Sequence, residues 1–194
     1  MSRTTLRQLN GFDETPAKLA DSTLILIDFQ NTYTQGVMEL EGWEKSLDAA
    51  EQLLTRARAA GTKVVHVIND GGEGTPYDIR AEIGQIHPRV APVDGEAVVV
   101  KQVPNAFHGT DLGTHVPEGQ DVVIAGWMTH MCVAFTAQGA FLRGNRPTVV
   151  ADATATRSLP VAGTDLDACQ VHYGALATIQ DLYGVVVPSH SDLD

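Results

Sequence analysis

Short runs of consecutive apolar, β-branched residues recur along the chain, separated by stretches whose apolar positions return every third or fourth residue. Leu24-Ile25-Leu26-Ile27 runs into Asp28, and Ala97-Val98-Val99-Val100 runs into Lys101. Asp121-Val122-Val123-Ile124-Ala125-Gly126 leads a few residues on to Cys132. Unbroken runs of this kind are expected of strands covered on both faces, as in a parallel sheet. The pattern predicts strands over 23–28, 63–68, 97–101, 121–126, 147–151 and 184–187. It predicts helices near 43–60, 130–143 and 164–182. In the first, Trp43, Leu47, Ala50, Leu54 and Ala57 recur at helical spacing, and Gly61 and Gly144 are natural stops for the first two. Strands alternating with helices imply right-handed βαβ crossovers. The expected fold class is α/β: a doubly wound, three-layer αβα sandwich around a six-stranded, mostly parallel sheet. Residues 69–96, rich in Gly, Pro and Asp, read as a long loop region with a short helical piece. Residues 1–21 read as an N-terminal arm that packs on the domain or on a neighbour, and 22–194 as a single domain.

Composition narrows the partners. A chain of 194 residues, 43% hydrophobic and 19% charged, is globular and long enough to bury a core. The 13 basic against 24 acidic residues give a net charge of −11, which argues against nucleic acid and against an anionic membrane surface. No apolar run approaches the ~20 residues of a membrane-spanning helix. Two cysteines, Cys132 and Cys169, are too few for a disulfide framework, and with no secretory segment at the start they are expected as reduced thiols in a cytoplasm.

The strand ends carry the chemistry. In parallel α/β sheets ligands bind at the carboxyl ends of the strands. Asp28, Lys101 and Cys132 place an acid, an amine and a thiol there. Gly126-Trp127-Met128-Thr129-His130-Met131-Cys132 leaves a strand and enters a helix. With Thr129 as N-cap, Cys132 falls in the first helical turn, where the helix dipole favours a thiolate. A buried structural cysteine is the plainer alternative. Asp28 reads as a loop cap or a general base, and Lys101 as a snorkelling side chain or a buried ammonium whose counter-charge is Asp28. Taken together they point to a cysteine hydrolase.

Four stretches resemble the isochorismatase-like cysteine hydrolase superfamily, which includes nicotinamidases, N-carbamoyl-amino-acid amidases and streptothricin hydrolases. They are Ile25–Gln30, Lys101–Leu112, Gly126–Val133 and Val149–Ala153, in the family's order and spanning nearly the whole domain. The resemblance implies that Asp28, Lys101 and Cys132 form a catalytic triad. It also implies a cis peptide between Trp127 and Met128, and an oxyanion hole from the N–H groups of Met128 and Cys132. The implied reaction is hydrolysis of a small-molecule amide, lactam or carbamoyl C–N bond through a thioester, with no cofactor.

Two departures narrow this further. The Asp-x-His metal motif of nicotinamidases is missing after the second strand, so Asp70 and His87 read as loop residues and no metal is expected. Isochorismatases proper do not use a cysteine nucleophile, so the presence of Cys132 disfavours vinyl-ether cleavage.

Phe29, Tyr33, Phe107 and Trp127 could wall a substrate pocket or simply pack the core, and His108 and His130 could face it. Cys169 and Tyr173 fall on the expected inner stripe of the last helix. Two rival classes remain open: a non-hydrolytic, flavodoxin-like binding module and a thiol redox protein. The apolar breadth of helix 130–143 (Met131, Ala134, Phe135, Gln138, Phe141, Leu142), with Leu6, Leu9 and Phe12 of the arm, points to a homo-oligomer of at least two chains.

Overall fold

The computed structural model describes residues 3–194, so the first two residues of the expected arm lie outside the described residues. All five residues of strand β1 (Thr23–Ile27) are buried, because helices cover both faces of the sheet to which it is central. Around it the chain lays down, in order, α1 (Leu6–Leu9), β1, α2 (Trp43–Ala59), β2 (Lys63–Asn69), β3 (Ala97–Lys101), α3 (Leu112–His115) and β4 (Asp121–Trp127). A π-helical turn (Thr129–Val133) then runs into α4 (Ala134–Leu142) and β5 (Arg146–Ala155). The hairpin β6–β7 (Leu159–Val161, Thr164–Leu166), α5 (Ala168–Thr178), a second π-helical turn (Ile179–Tyr183) and β8 (Val185–Val187) complete it. Among the described residues, six strands form one sheet in the order β3-β2-β1-β4-β5-β8, all parallel.

Period-two alternation sorts the core into two layers. Leu24, Leu26, Val64, Val123, Ala125 and Val150 face α2, where Leu47, Ala50, Leu53, Leu54 and Ala57 meet them. Ile25, Ile27, Val65, Val67, Val122, Ile124 and Val149 face the opposite way, against Val133, Ala137, Ala140, Leu176 and Ile179. Each large aliphatic side chain so buried stabilises the fold by about 1.5–3 kcal/mol. Gly61 and Gly144 end α2 and α4 in left-handed conformations.

Two expectations are corrected. The helix expected from 164 starts at Ala168, because Asp167 caps it in a reciprocal capping box with Gln170, and residues 159–166 form a hairpin instead. Its buried residues are Ala168, Leu176 and Ile179, with His172 half-buried between them. Cys169 and Tyr173 therefore point outward, the thiol exposed and the ring 64% exposed, rather than into the core. The arm packs on its own domain, one of the two placements expected for it. Phe12 packs edge-on against Phe141, Arg7 lies over Phe12, and Leu6 N–H donates to Asp181.

Two details aim the strand ends. Gly126 pairs with Ile27, and any side chain at Gly126 would collide with the Ile27 carbonyl, so a glycine lets β1 and β4 close together just before Asp28 and Trp127. Glu96 fixes the start of β3. Its carboxylate accepts from Arg58 of α2, from His66 Nε2 of β2 (2.8 Å) and from Val93 N–H. Burial alone would raise the Glu96 carboxyl, but the hydrogen bonds from Arg58 and His66 outweigh it and bring it from 4.5 to about 2. A depressed native pKa stabilises the fold above the unfolded value, and that contribution disappears as pH falls through the native one. Glu96→Gln is therefore expected to lower the unfolding free energy by about 1.5–3 kcal/mol at neutral pH. In acid-dependent urea melts the gap between wild type and variant should close as pH falls from 4.5 towards 2. A gap constant with pH would refute the assignment.

Candidate active site

β3, β2 and β1 are adjacent, which puts Lys101 two strands, about 10 Å, from the β1 end in the plane of the sheet. Lys101 pairs with Asn69 while Ile27 pairs with Val67, so the lysine sits further along the sheet and its long side chain reaches back to the end of β1. There Nζ lies 2.7 Å from Asp28 Oδ2, with both side chains fully buried. The ammonium also donates to Cys132 Sγ (3.2 Å) and to Asn69 Oδ1 (3.3 Å), so it is held by two hydrogen bonds besides the ion pair with Asp28.

Asp28 leaves β1 at φ +53°, a left-handed conformation that Asp tolerates better than most residues. Its N–H donates to Val67 C=O, and its C=O accepts from Gln30 N–H. Gln30 is itself fully buried and grips the neighbouring strand end. Its Oε1 accepts from Asn69 N–H, and its Nε2 donates to the Asn69 and Gly84 carbonyls. This clamp fixes the residue that supplies the lysine's third acceptor. Both Asp28 carboxylate oxygens are buried with no hydrogen-bond partner of good geometry among the described residues; Oδ2 is met only by the close Lys101 ion pair, and the carboxylate keeps lone pairs free.

Cys132 lies in the π-helical turn after β4 and is 7% exposed. The Trp127–Met128 peptide is cis. Thr129 does not cap the helix as expected. Its hydroxyl pairs instead with His172 Nδ1 of α5 at 3.0 Å, which ties the turn to the last long helix.

Electrostatics corrects the expected thiolate. Burial, and then the negative charge of Asp28, push the Cys132 thiol up to about 12, and Lys101 only partly offsets them. Burial likewise raises the Asp28 carboxyl above the ordinary carboxylate range, against the pull of Lys101. Burial draws the Lys101 ammonium down, but the Asp28 charge, with the contacts to Asp28 and Cys132, outweighs it and holds the amine protonated. The resting set is a thiol beside a carboxylate of heightened basicity and a fixed ammonium. It can move a proton from sulfur to Asp28 at the moment of attack.

The other candidates divide. Phe29 and Tyr33 meet Trp127 edge-on at 4.7 and 6.0 Å between ring centres, and Trp127 Nε1 donates to Ser46 of α2. All three rings are at most 2% exposed, so they belong to the α2-side core beneath the site. Phe107 lies under the Arg143 guanidinium, which follows α4 at the end opposite Cys132, and His108 is exposed; neither is brought to the triad. His130 Nδ1 bonds the Thr156 hydroxyl at the end of β5. Asp70 is held by Arg80, and the His87 ring lies beside Trp43. Among the described residues no cluster of three metal-ligating side chains occurs.

Sequence reasoning missed Asn69, Gln30 and Tyr77. Tyr77 stacks edge-on with Tyr33 at 5.8 Å. Burial pushes its hydroxyl up. The position of Asn69, at the end of β2 opposite Lys101, was the available signal; Tyr77 comes from a loop with no pattern to mark it. A cleft of about 700 Å³ lies elsewhere, between the start of α2, the end of β5 and α5. It holds none of the triad, and buried reactive groups outweigh volume in locating the chemistry.

Comparison with known proteins bears on the family and the fold. The isochorismatase domain matches residues 22–188. A secreted isochorismatase effector of Verticillium dahliae is 33% identical over 94% of this chain and 96% of its own. A streptothricin hydrolase of Streptomyces noursei is 34% identical over 72% of this chain and 56% of its own, and a maleamate amidohydrolase of Pseudomonas putida 31% over 88% and 86%. The crystal structure of an isochorismatase from Pseudomonas putida KT2440 superposes with a TM-score of 0.95 at 35% identity, covering both chains completely.

Two measurements check the site. In a Cys169→Ser background, the rate of Cys132 alkylation by iodoacetamide should keep rising about tenfold per pH unit through pH 10; a plateau near the ordinary thiol range would show a thiolate at rest. Asp28→Asn and Lys101→Ala should each lower kcat/KM by ~10²–10⁴-fold, and the double variant by far less than the product. Multiplicative losses would mean that the two groups act independently.

Proposed function

The chain belongs to the isochorismatase family and hydrolyses small-molecule amides or related C–N bonds, and we propose that it does so through Cys132 as nucleophile and a thioester intermediate. The carrying observation is the buried contact set in which Lys101 Nζ touches both Asp28 Oδ2 and Cys132 Sγ. Asp28 takes the thiol proton as Sγ attacks the carbonyl carbon. The N–H groups of Met128 and Cys132 receive the oxyanion; donors so placed are worth about 10²–10³-fold each. The C–N bond breaks as Asp28 returns the proton to the departing nitrogen. Water then attacks the thioester with Asp28 as base, releasing the carboxylic acid and restoring the thiol. Lys101 remains an ammonium throughout and keeps Asp28 ionised between proton transfers.

The substrate is a small molecule carrying an amide, lactam or carbamoyl group, and the named activities of the relatives support that range. The reading includes a homo-oligomer. α4 turns Phe135 and Leu142 to the surface, 44% and 73% exposed, and Leu9 of the arm is 71% exposed. Two free cysteines fit a reducing cytoplasm. No helix of the described residues is long and apolar enough to cross a membrane.

Cys132→Ala is expected to abolish acid or ammonia release across a panel of amides, lactams and carbamoyl compounds while near-UV circular dichroism is unchanged. Near-normal turnover by that variant would remove the nucleophile. Light scattering at low micromolar concentration should give at least a dimer, and a fully active monomer would overturn the assembly.

A further inference from the structure

The segment that leads into Cys132 is tied to three different elements. Trp127 Nε1 donates to Ser46 of α2 at 2.8 Å, the Thr129 hydroxyl shares a hydrogen bond with His172 Nδ1 of α5 at 3.0 Å, and His130 Nδ1 bonds the Thr156 hydroxyl just past β5. The three partners, Ser46, His172 and Thr156, all line the cleft of about 700 Å³ between α2, β5 and α5. Open space rather than packed core therefore backs them, and hydrogen bonds replace the interdigitated side chains that fix position elsewhere in the fold.

Of the three ties, the one at Thr129 acts on the nucleophile's own turn. Trp127 is already fixed by its pairing with Ala155 of β5. Thr129 opens the π-helical turn that carries Cys132, and no side chain caps that turn at its start. Its hydroxyl is buried, and among the described residues His172 is its one hydrogen-bond partner. Burial lowers the His172 imidazole, which keeps the ring neutral, and the ring packs edge-on against Tyr173. A rotation of this turn would carry Cys132 Sγ away from Lys101 Nζ, now 3.2 Å distant.

We propose that His172 is a positioning residue for the nucleophile: through the Thr129 hydroxyl it fixes the turn so that Cys132 Sγ stays on Lys101 Nζ beside Asp28. This rests on the hydrolase reading above and deepens it, naming a side chain outside the triad on which the triad's geometry depends.

The test reads Cys132 itself. In a Cys169→Ser background, the rate of Cys132 alkylation by iodoacetamide is followed against pH in wild type, His172→Phe, His172→Asn and Thr129→Val. Phenylalanine keeps the ring and its contact with Tyr173 but has no nitrogen, whereas the asparagine amide reaches the place of Nδ1. A loosened turn admits water to the thiol and takes it away from Asp28, and burial and Asp28 are what raise it. His172→Phe and Thr129→Val should therefore each shift the profile to lower pH by about one unit or more, so that alkylation at pH 8 is roughly tenfold faster. His172→Asn should follow wild type. On an amide that wild type turns over, His172→Phe should lower kcat by roughly 10–100-fold and leave KM within about twofold. The double variant should lose no more than either single one, because both break the same tie. A role in stability alone would lower Tm and leave the alkylation profile and kcat unchanged. That result, failure of His172→Asn to restore the wild-type profile, or additive losses would each overturn the proposal. A shifted profile in a protein whose turnover does not depend on Cys132 would uphold the tie and count against the hydrolase reading alone.

Discussion

The buried ion pair between Asp28 and Lys101 is the constraint that the rest of the structure accommodates. Moving two charges out of water costs several kcal/mol for each, and their attraction repays this only when every remaining donor is met. Here the ammonium donates to Asn69 and Cys132 and pairs with the Asp28 carboxylate at 2.7 Å. That satisfaction requires three strand ends and a helical turn to arrive together. The Gln30 clamp holds Asn69, the Glu96 network anchors β3, and Gly126 lets β4 close on β1. Such a pair is a poor stabiliser compared with packed apolar side chains, and it suits a catalytic function better than a structural one.

The same burial sets the division of labour among the three groups. A cysteine placed at a helix start and beside a lysine reads in isolation as a thiolate. Desolvation and the adjacent carboxylate reverse that, leaving a thiol at rest and a carboxylate basic enough to receive its proton. A resting thiol is less prone to adventitious alkylation and oxidation, since the thiolate is the reactive form.

Much of this was legible in the sequence, for a physical reason. Strands covered on both faces must be continuously apolar, so a charge at the end of such a run stands out, as Asp28 does; Lys101 stands out in the same way, although Val98 and Val100 of the edge strand β3 are exposed. Parallel topology then brings those ends to one edge of the sheet. Other features were not legible. The Asp167 capping box starts α5 four residues later than the pattern suggests, and Cys169 and Tyr173 face the surface. Tyr77 sits in an irregular segment, where no periodicity marks which way a side chain faces. Phe107 and His108 follow Lys101 closely in sequence, yet the loop carries them away from the triad towards the far end of α4 and the surface.

The central claim is covalent catalysis at Cys132, and the most direct measurement is mass spectrometry of enzyme acid-quenched during turnover of a slow amide substrate. The account predicts a mass increase equal to the substrate's acyl group, mapped to the peptide that contains Cys132 and removed by hydroxylamine. An adduct on another residue, or product formed with no adduct at any time under single-turnover conditions, would contradict it.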